Sequence, residues 1–205
     1  MSKIVFGEVD WNSGDTGAPK SDFMRLEEGE NVVRVMSNPH QHYIHWLALP
    51  DGSKKKIVSP IDSMALVTRL TDAGFRKQPK WLIKVLDRKD NEFKLLEVGS
   101  QIYNGIKALY NNAKWGKVTS YDISIMRGPK GSQPLYSVQP NPKEAIDSSL
   151  KTKFIEFNNR VDMSKVTKPA EVAAVCEMLN WDPKPFTSET SPDSFDDQDF
   201  QFEFE

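Results

Sequence analysis

The side chains of this 205-residue chain that are able to do chemistry fall into three sets. His40, His42 and His45, all the histidines present, stand as His-x-His-x-x-His. That spacing invites a metal reading. Zinc, however, wants a fourth ligand, or an open position backed by ordered carboxylates, and the lone Cys176 is not nearby in sequence. On a strand, His40 and His42 share a face while His45 takes the other. A polar surface is the reading favoured here, and no metal or other cofactor is expected. The second set is acidic. Asp87, Asp90 and Asp122 lie near turns and strands without an acidic cluster around them, which argues against a two-metal nuclease. No nucleophile elbow, phosphate loop, HExxH or dinucleotide fingerprint occurs, so an enzyme is not expected.

The third set is basic and aromatic. From Glu30 to Lys143 there are 18 Lys and Arg against 9 Asp and Glu, a balance of +9, although the whole chain is 27 against 29. The last seventeen residues, ETSPDSFDDQDFQFEFE, hold seven carboxylates, four phenylalanines and no cation. A basic middle and an acidic end make a chain able to bind a polyanion while carrying its own competitor. In the tail, Asp196, Asp197, Asp199, Phe200, Phe202, Glu203, Phe204 and Glu205 are the residues expected to dock a partner or to mimic phosphates and bases.

Short β-like runs must position the basic and aromatic residues. The sequence predicts strands over Asn31–Met36, His42–Leu49, Lys54–Val58, Lys80–Arg88, Phe93–Val98, Tyr121–Arg127 and Leu135–Val138. Turn chemistry at 89–92 and at 128–131 makes hairpins of the last two pairs. Helices are predicted over Asp62–Ala73, capped by Asp62 and closed by Gly74, over Ser100–Asn112, and over Pro169–Leu179. Several short strands with a helix between two hairpins predict a mainly β fold with helices, an OB-fold-like, partly open antiparallel barrel. The expected organisation is a flexible arm over 1–22, a binding core over 23–145, a helical extension over 146–182 and a disordered acidic tail over 183–205.

Strand parity assigns the faces. Trp81, Ile83 and Val85 point one way, into a barrel. Lys80, Lys84 and Arg88 point the other, roughly 13 Å apart at ~3.3 Å per residue, a spacing able to track the phosphates of an extended single strand. Arg34 joins this groove by its own parity. Lys54, Lys55, Lys56 and Lys130 sit at hairpin tips, and Arg127 closes a strand. Tyr43, Trp46, Trp115 and Tyr136 are the candidate platforms for base stacking, whereas parity sends Trp81 and Tyr121 to the core. No run approaches the ~18 apolar residues of a membrane helix, and the start lacks the apolar core of a signal peptide. With a single cysteine, an intracellular protein without a membrane partner is expected.

Several segments in order resemble the single-stranded DNA-binding proteins of T-even and related bacteriophages. They are FMRLEEGENVVRVMSNP (Phe23–Pro39), KQPKWLIKVLDR (Lys77–Arg88), YDISIMRG (Tyr121–Gly128), RVDMSKVTKPAEVAAVCEMLN (Arg160–Asn180) and the tail of alternating Phe and Glu. The resemblance implies an OB-fold that covers transient single strands during phage replication, recombination and repair, in the cytoplasm of the infected host, without catalysis. It implies a tail that recruits replication proteins (a polymerase, a helicase or a primase loader) and competes with DNA, and self-association on DNA. The family's zinc site of one histidine and three cysteines is not matched, because the corresponding loop, SPIDSMALVTRLTDAGF, has no cysteine. The family's basic N-terminal arm is not matched either, since residues 1–29 hold 3 basic and 6 acidic side chains. The alternatives from the residues alone are a protein-interaction adaptor and a single-stranded RNA-binding protein.

Overall fold

The computed structural model describes residues 22–187. The acidic tail over 189–205 and the first 21 residues of the arm lie outside the described residues. The chain forms two compact units. The first takes residues 22–38, Ile83–Glu97 and Asn104–Phe154, and the second takes Pro39–Leu82, Val98–Tyr103 and residues 155–187.

Seven strands carry the fold: β1 (Gly29–Val35), β2 (His40–Ala48), β3 (Lys54–Val58), β4 (Gln78–Asp87), β5 (Glu92–Val98), β6 (Tyr121–Arg127) and β7 (Tyr136–Lys143). In the first unit β1 pairs antiparallel with both β4 and β6, and β6 pairs with β7. In the second, β2 pairs antiparallel with both β3 and β4. β5 pairs with β4. Among the described residues β3 and β7 are each bonded to a strand on one side only, so the sheet they form is not closed. A mainly β, open, OB-fold-like domain with helices is what the spacing predicts.

The first unit is built on alternate residues that point inward. Val33, Val35, Ile123 and Ile125 are buried through β1 and β6. The helix α2 (Ser100–Tyr110) covers the sheet here. Gly105 makes that approach possible, because a Cβ built on it would lie 2.7 Å from a methyl of Val138 in β7. Phe93 and Phe154 meet at 5.2 Å between ring centroids. The residues entering the unit run along β5, with Leu95 N–H donating to Asp22 C=O and Met24 N–H to Leu95 C=O.

In the second unit Leu47 of β2 and Ile57 of β3 pack with Leu66 and Leu70 of α1 (Met64–Asp72) and with Val175, Cys176 and Leu179. The helix α1 begins one residue later than the capping signal implies. Ser63, not Asp62, is the cap, and its hydroxyl accepts from Leu66 N–H. Past the single turn Val118–Ser120 come α3 (Ser148–Arg160), α4 (Met163–Val166), α5 (Val172–Leu179) and α6 (Lys184–Thr187). The predicted helix over 169–179 starts only at Val172, because Ala170 N–H is drawn onto the edge of β3, donating to Val58 C=O at 3.2 Å. Asn180, at φ +55°, ends it in the left-handed conformation that closes helices.

Candidate nucleic-acid interface

The basic and aromatic residues separate into a buried set and an exposed set. β4 decides the first. From Trp81 to Asp87 every residue of this strand is buried, on both parities. β1 and β5 occupy its edges in the first unit, and burial on both parities means that neither face is left open. Leu82 and Leu86 are as buried as Ile83 and Val85. Parity therefore places Trp81 and Ile83 in the core, as expected, but it does not leave Lys84 in an open groove. Lys84 is 5% exposed.

Arg34 and Arg88 are withdrawn in another way. Arg34 in β1 stands opposite Asp122 in β6, and its Nε lies 2.5 Å from Asp122 Oδ1. Arg88 reaches the same carboxylate, with Nε 2.8 Å from Oδ2. Arg34 also donates from Nη2 to Glu144 C=O at 3.0 Å. One carboxylate thus holds two guanidinium groups beside the sheet. Arg34 and Arg88 share a charge network centred on Asp122, and Lys84 is buried in β4, so the three do not form a solvent-facing track. Lys80 stands in the second unit, half-buried, opposite His42.

The other two acids of the predicted set, Asp87 and Asp90, are held in the same unit. Lys94 binds Asp87 at 2.7 Å and Asp90 at 2.6 Å. Burial works against the charge of Lys94, but the hydrogen bonds it donates to Asp87 and Asp90, with their negative charges, outweigh it and raise its pKa above the ordinary lysine value. These carboxylates are tied to a cation on the protein itself.

The histidines are structural. His45 is fully buried, with Nδ1 2.7 Å from Phe75 C=O and Nε2 3.1 Å from Ser59 Oγ. The carbonyl fixes the proton on Nδ1, and the Ser59 hydroxyl donates to Nε2. Burial pushes its pKa below the ordinary value, and Lys77 adds to the effect. His40 donates to Thr167 Oγ1, whose proton goes to Met163 C=O. Among the described residues no group of three His, Cys, Asp or Glu side chains is arranged to hold a metal.

The exposed set gathers on the outer end of β2 and β3. Trp46 stands opposite Lys56, and Ala48 opposite Lys54. Residues opposite one another in an antiparallel pair share a face, about 5 Å apart. Trp46, Lys54 and Lys56 therefore stand together on one side. Leu47 and Ile57 point to the other side, into the core against α1 and α5. Trp46 is 48% exposed, and among the described residues no ring or cation is stacked on it. Lys55 is exposed on the opposite parity of the same edge strand. Among the described residues no strand lies beyond β3, so this edge is exposed.

The remaining candidates are dispersed. Tyr43 lies on the opposite parity from Trp46, half-buried, with Lys77 Nζ 4.3 Å from its ring. Trp115 is half-buried against Tyr121 at 5.7 Å, with Lys114 Nζ 5.8 Å from its ring. Tyr121 is core, as predicted, and burial raises the pKa of its phenol. Arg127 stands opposite Tyr136, and its Nη1 donates to Leu26 C=O at 2.6 Å. Lys130 is exposed at the tip of the β6–β7 hairpin.

Sequence reasoning misses one group. Thr119, Lys143 and Lys151 line a cavity of about 420 Å³ with Arg34. Its sequence signal is weak: a lysine at the end of a strand and another in the first turn of a helix whose sequence is mostly polar.

No family model matches the chain. It is similar to a protein of Escherichia phage T5 named "Probable ssDNA-binding protein", at 26% identity over 155 residues. The match covers 65% of this chain and 59% of that protein, so the chain spans about three-fifths of the length of the curated relative. No solved structure matches.

Proposed function

We propose that this chain binds single-stranded DNA without reading its sequence. The observation that carries the reading is Trp46, half exposed on the face it shares with Lys54 and Lys56. An aromatic platform flanked by cations is what a strand of any sequence needs. Each base offers a π-face to stack, and each phosphate a charge to neutralise. The likeness to a phage protein named for single-stranded DNA binding supports the same conclusion.

On this reading Trp46 stacks a base while Lys54 and Lys56, on its own face, hold the neighbouring phosphates, and Lys55 on the other face of the edge strand adds to the positive field around it. Lys80, on the same parity as Trp46, extends the path. The role is protection of single strands during phage replication, recombination and repair in the infected host. The acidic tail over 189–205 recruits replication proteins and competes with DNA for the basic face. Deleting it strengthens DNA binding and weakens partner binding.

The experiment is a titration of the full chain with a dT oligonucleotide, followed by tryptophan fluorescence. Stacking on Trp46 quenches emission. Replacing Trp46→Ala removes most of that quench and lowers affinity about 5- to 150-fold, the equivalent of about 1–3 kcal/mol per stacked base. A wild-type protein that does not respond to dT, or a Trp46→Ala protein that binds and quenches like wild type, overturns the proposal. A parallel titration with a U oligomer separates DNA from RNA preference.

A further inference from the structure

We infer that the cavity where β7 hands over to α3 is a binding site for a phosphate group of the nucleic-acid strand, an inference that rests on the single-strand-binding reading above. The site lies wholly within the first unit, whereas the Trp46 face belongs to the second. Its volume of about 420 Å³ admits a phosphate with its sugar.

The back wall is Arg34, 1% exposed. Its Nε is held by Asp122 and its Nη2 by Glu144 C=O. Among the described residues no hydrogen bond involves its Nη1. Nη1 is thus a donor free to meet an acceptor that enters the cavity Arg34 lines. Asp122 cannot neutralise the wall by itself, because the same carboxylate also holds Arg88.

Lys143 and Lys151 add two exposed cations at the rim. Lys143 ends β7. Lys151 stands in the first turn of α3, whose start is fixed by Asp147, the acceptor of Ser149 N–H at 2.7 Å. Thr119 contributes a hydroxyl with no hydrogen bond among the described residues. The one opposing charge in the lining, Glu144, is an exposed side chain that can turn to water. Three cations (Arg34, Lys143 and Lys151) against the single carboxylate of the lining, with unused donors between them, select an anion. A phosphate supplies both the charge and several acceptor oxygens, so Arg34 Nη1, Thr119 and the two lysines can be satisfied together.

The test uses the full-chain Lys143→Gln/Lys151→Gln protein and a dT oligonucleotide, with affinity measured against salt and read by the Trp46 quench. Each lost phosphate contact lowers the slope of log K against log salt by about 0.7, so the double variant loses about 1.4. It therefore sheds roughly sevenfold less affinity than wild type between about 50 and 200 mM salt, while the quench at saturation is unchanged. A Lys165→Gln/Lys184→Gln control, with exposed lysines away from the cavity, keeps the wild-type slope. Comparing 5′-phosphorylated with 5′-hydroxyl dT identifies the source. A wild-type preference for the phosphorylated end that the cavity variant lacks marks a terminal phosphate. No preference, with the slope still reduced, marks an internal phosphodiester. Equal slopes and affinities for variant and wild type, with the quench intact, overturn the cavity and leave the function standing. Loss of dT binding by the wild type overturns both.

Discussion

Arg34 and Lys84 of the first unit, and Lys54 and Lys56 of the second, are all cations on β-strands, yet only the second pair faces water. The difference comes from strand position. β4 has strand partners along its edges, and from Trp81 to Asp87 it is buried on both faces. β3 is bonded to β2 alone. The central-strand cation Arg34 is held by the carboxylate of Asp122, whereas the cations of the edge strand meet solvent. Alternation along a strand tells which residues share a face. It does not tell whether that face is open.

The strongest way to break the comparison is to remove the shared carboxylate. Replacing Asp122→Asn leaves Arg34 and Arg88 with no counter-charge in a site where Asp122 is 10% and Arg34 1% exposed. Deleting one partner of a buried ion pair costs about 3–5 kcal/mol, because the remaining charge stays buried and uncompensated. Urea unfolding measures it. A loss below about 1 kcal/mol would mean that water reaches the guanidinium groups, and that the fold depends on the first-unit cations less than their geometry indicates. The exposed lysines give the reverse. Lys54→Gln and Lys56→Gln shift stability by no more than about 0.5 kcal/mol, the usual range for surface changes.

How much of this the sequence discloses follows the same division. Strands β3 and β6 are legible to the residue, because a lysine-rich run after Asp-Gly-Ser and an alternating run before Gly-Pro-Lys-Gly have sharp ends. Trp81 and Tyr121 are legible as core by parity. Trp46 with Lys56 is legible as a candidate, but its pairing is not, since register depends on where the β2–β3 turn closes. Two features escape. The helix α3 is missed although Leu150, Phe154, Phe157 and Val161 follow at helical spacing, because only Phe157 within it is buried and polar residues dominate the stretch. The Asp122 network is missed because it joins residues 34, 88 and 122, and long-range ion pairing has no local signature.

A smaller effect sharpens the other side of the comparison. In the Lys54→Gln/Lys56→Gln protein, the loss of two phosphate contacts reduces the salt dependence of dT binding by about 1.4 in slope. The quench from Trp46 persists, because the ring itself is untouched. A slope equal to wild type would remove these lysines from the interface and leave Trp46 without its flanking cations. Measured beside Asp122→Asn, the pair of variants separates charge used for folding from charge used for binding.

The finest comparison is between neighbours in one strand. Trp46 faces solvent, while His45, one residue before it, is fully buried between Phe75 and Ser59. Burial holds the folded-state pKa of His45 below its ordinary value of 6.5. Above that value neither the folded nor the unfolded chain protonates this imidazole, so its contribution to stability is complete. As pH falls below it, the unfolded chain takes up a proton that the folded chain refuses. Stability then declines until the pH passes the folded pKa, with a slope for one site no steeper than about 1.4 kcal/mol per pH unit. Urea midpoints measured downward from neutral pH should show this decline, and His45→Gln should lessen it. An unchanged decline in the variant would place the titration elsewhere. A stability that rises with falling pH would mean the imidazolium is tolerated inside, and that β2 does not separate its two faces as sharply as His45 and Trp46 indicate.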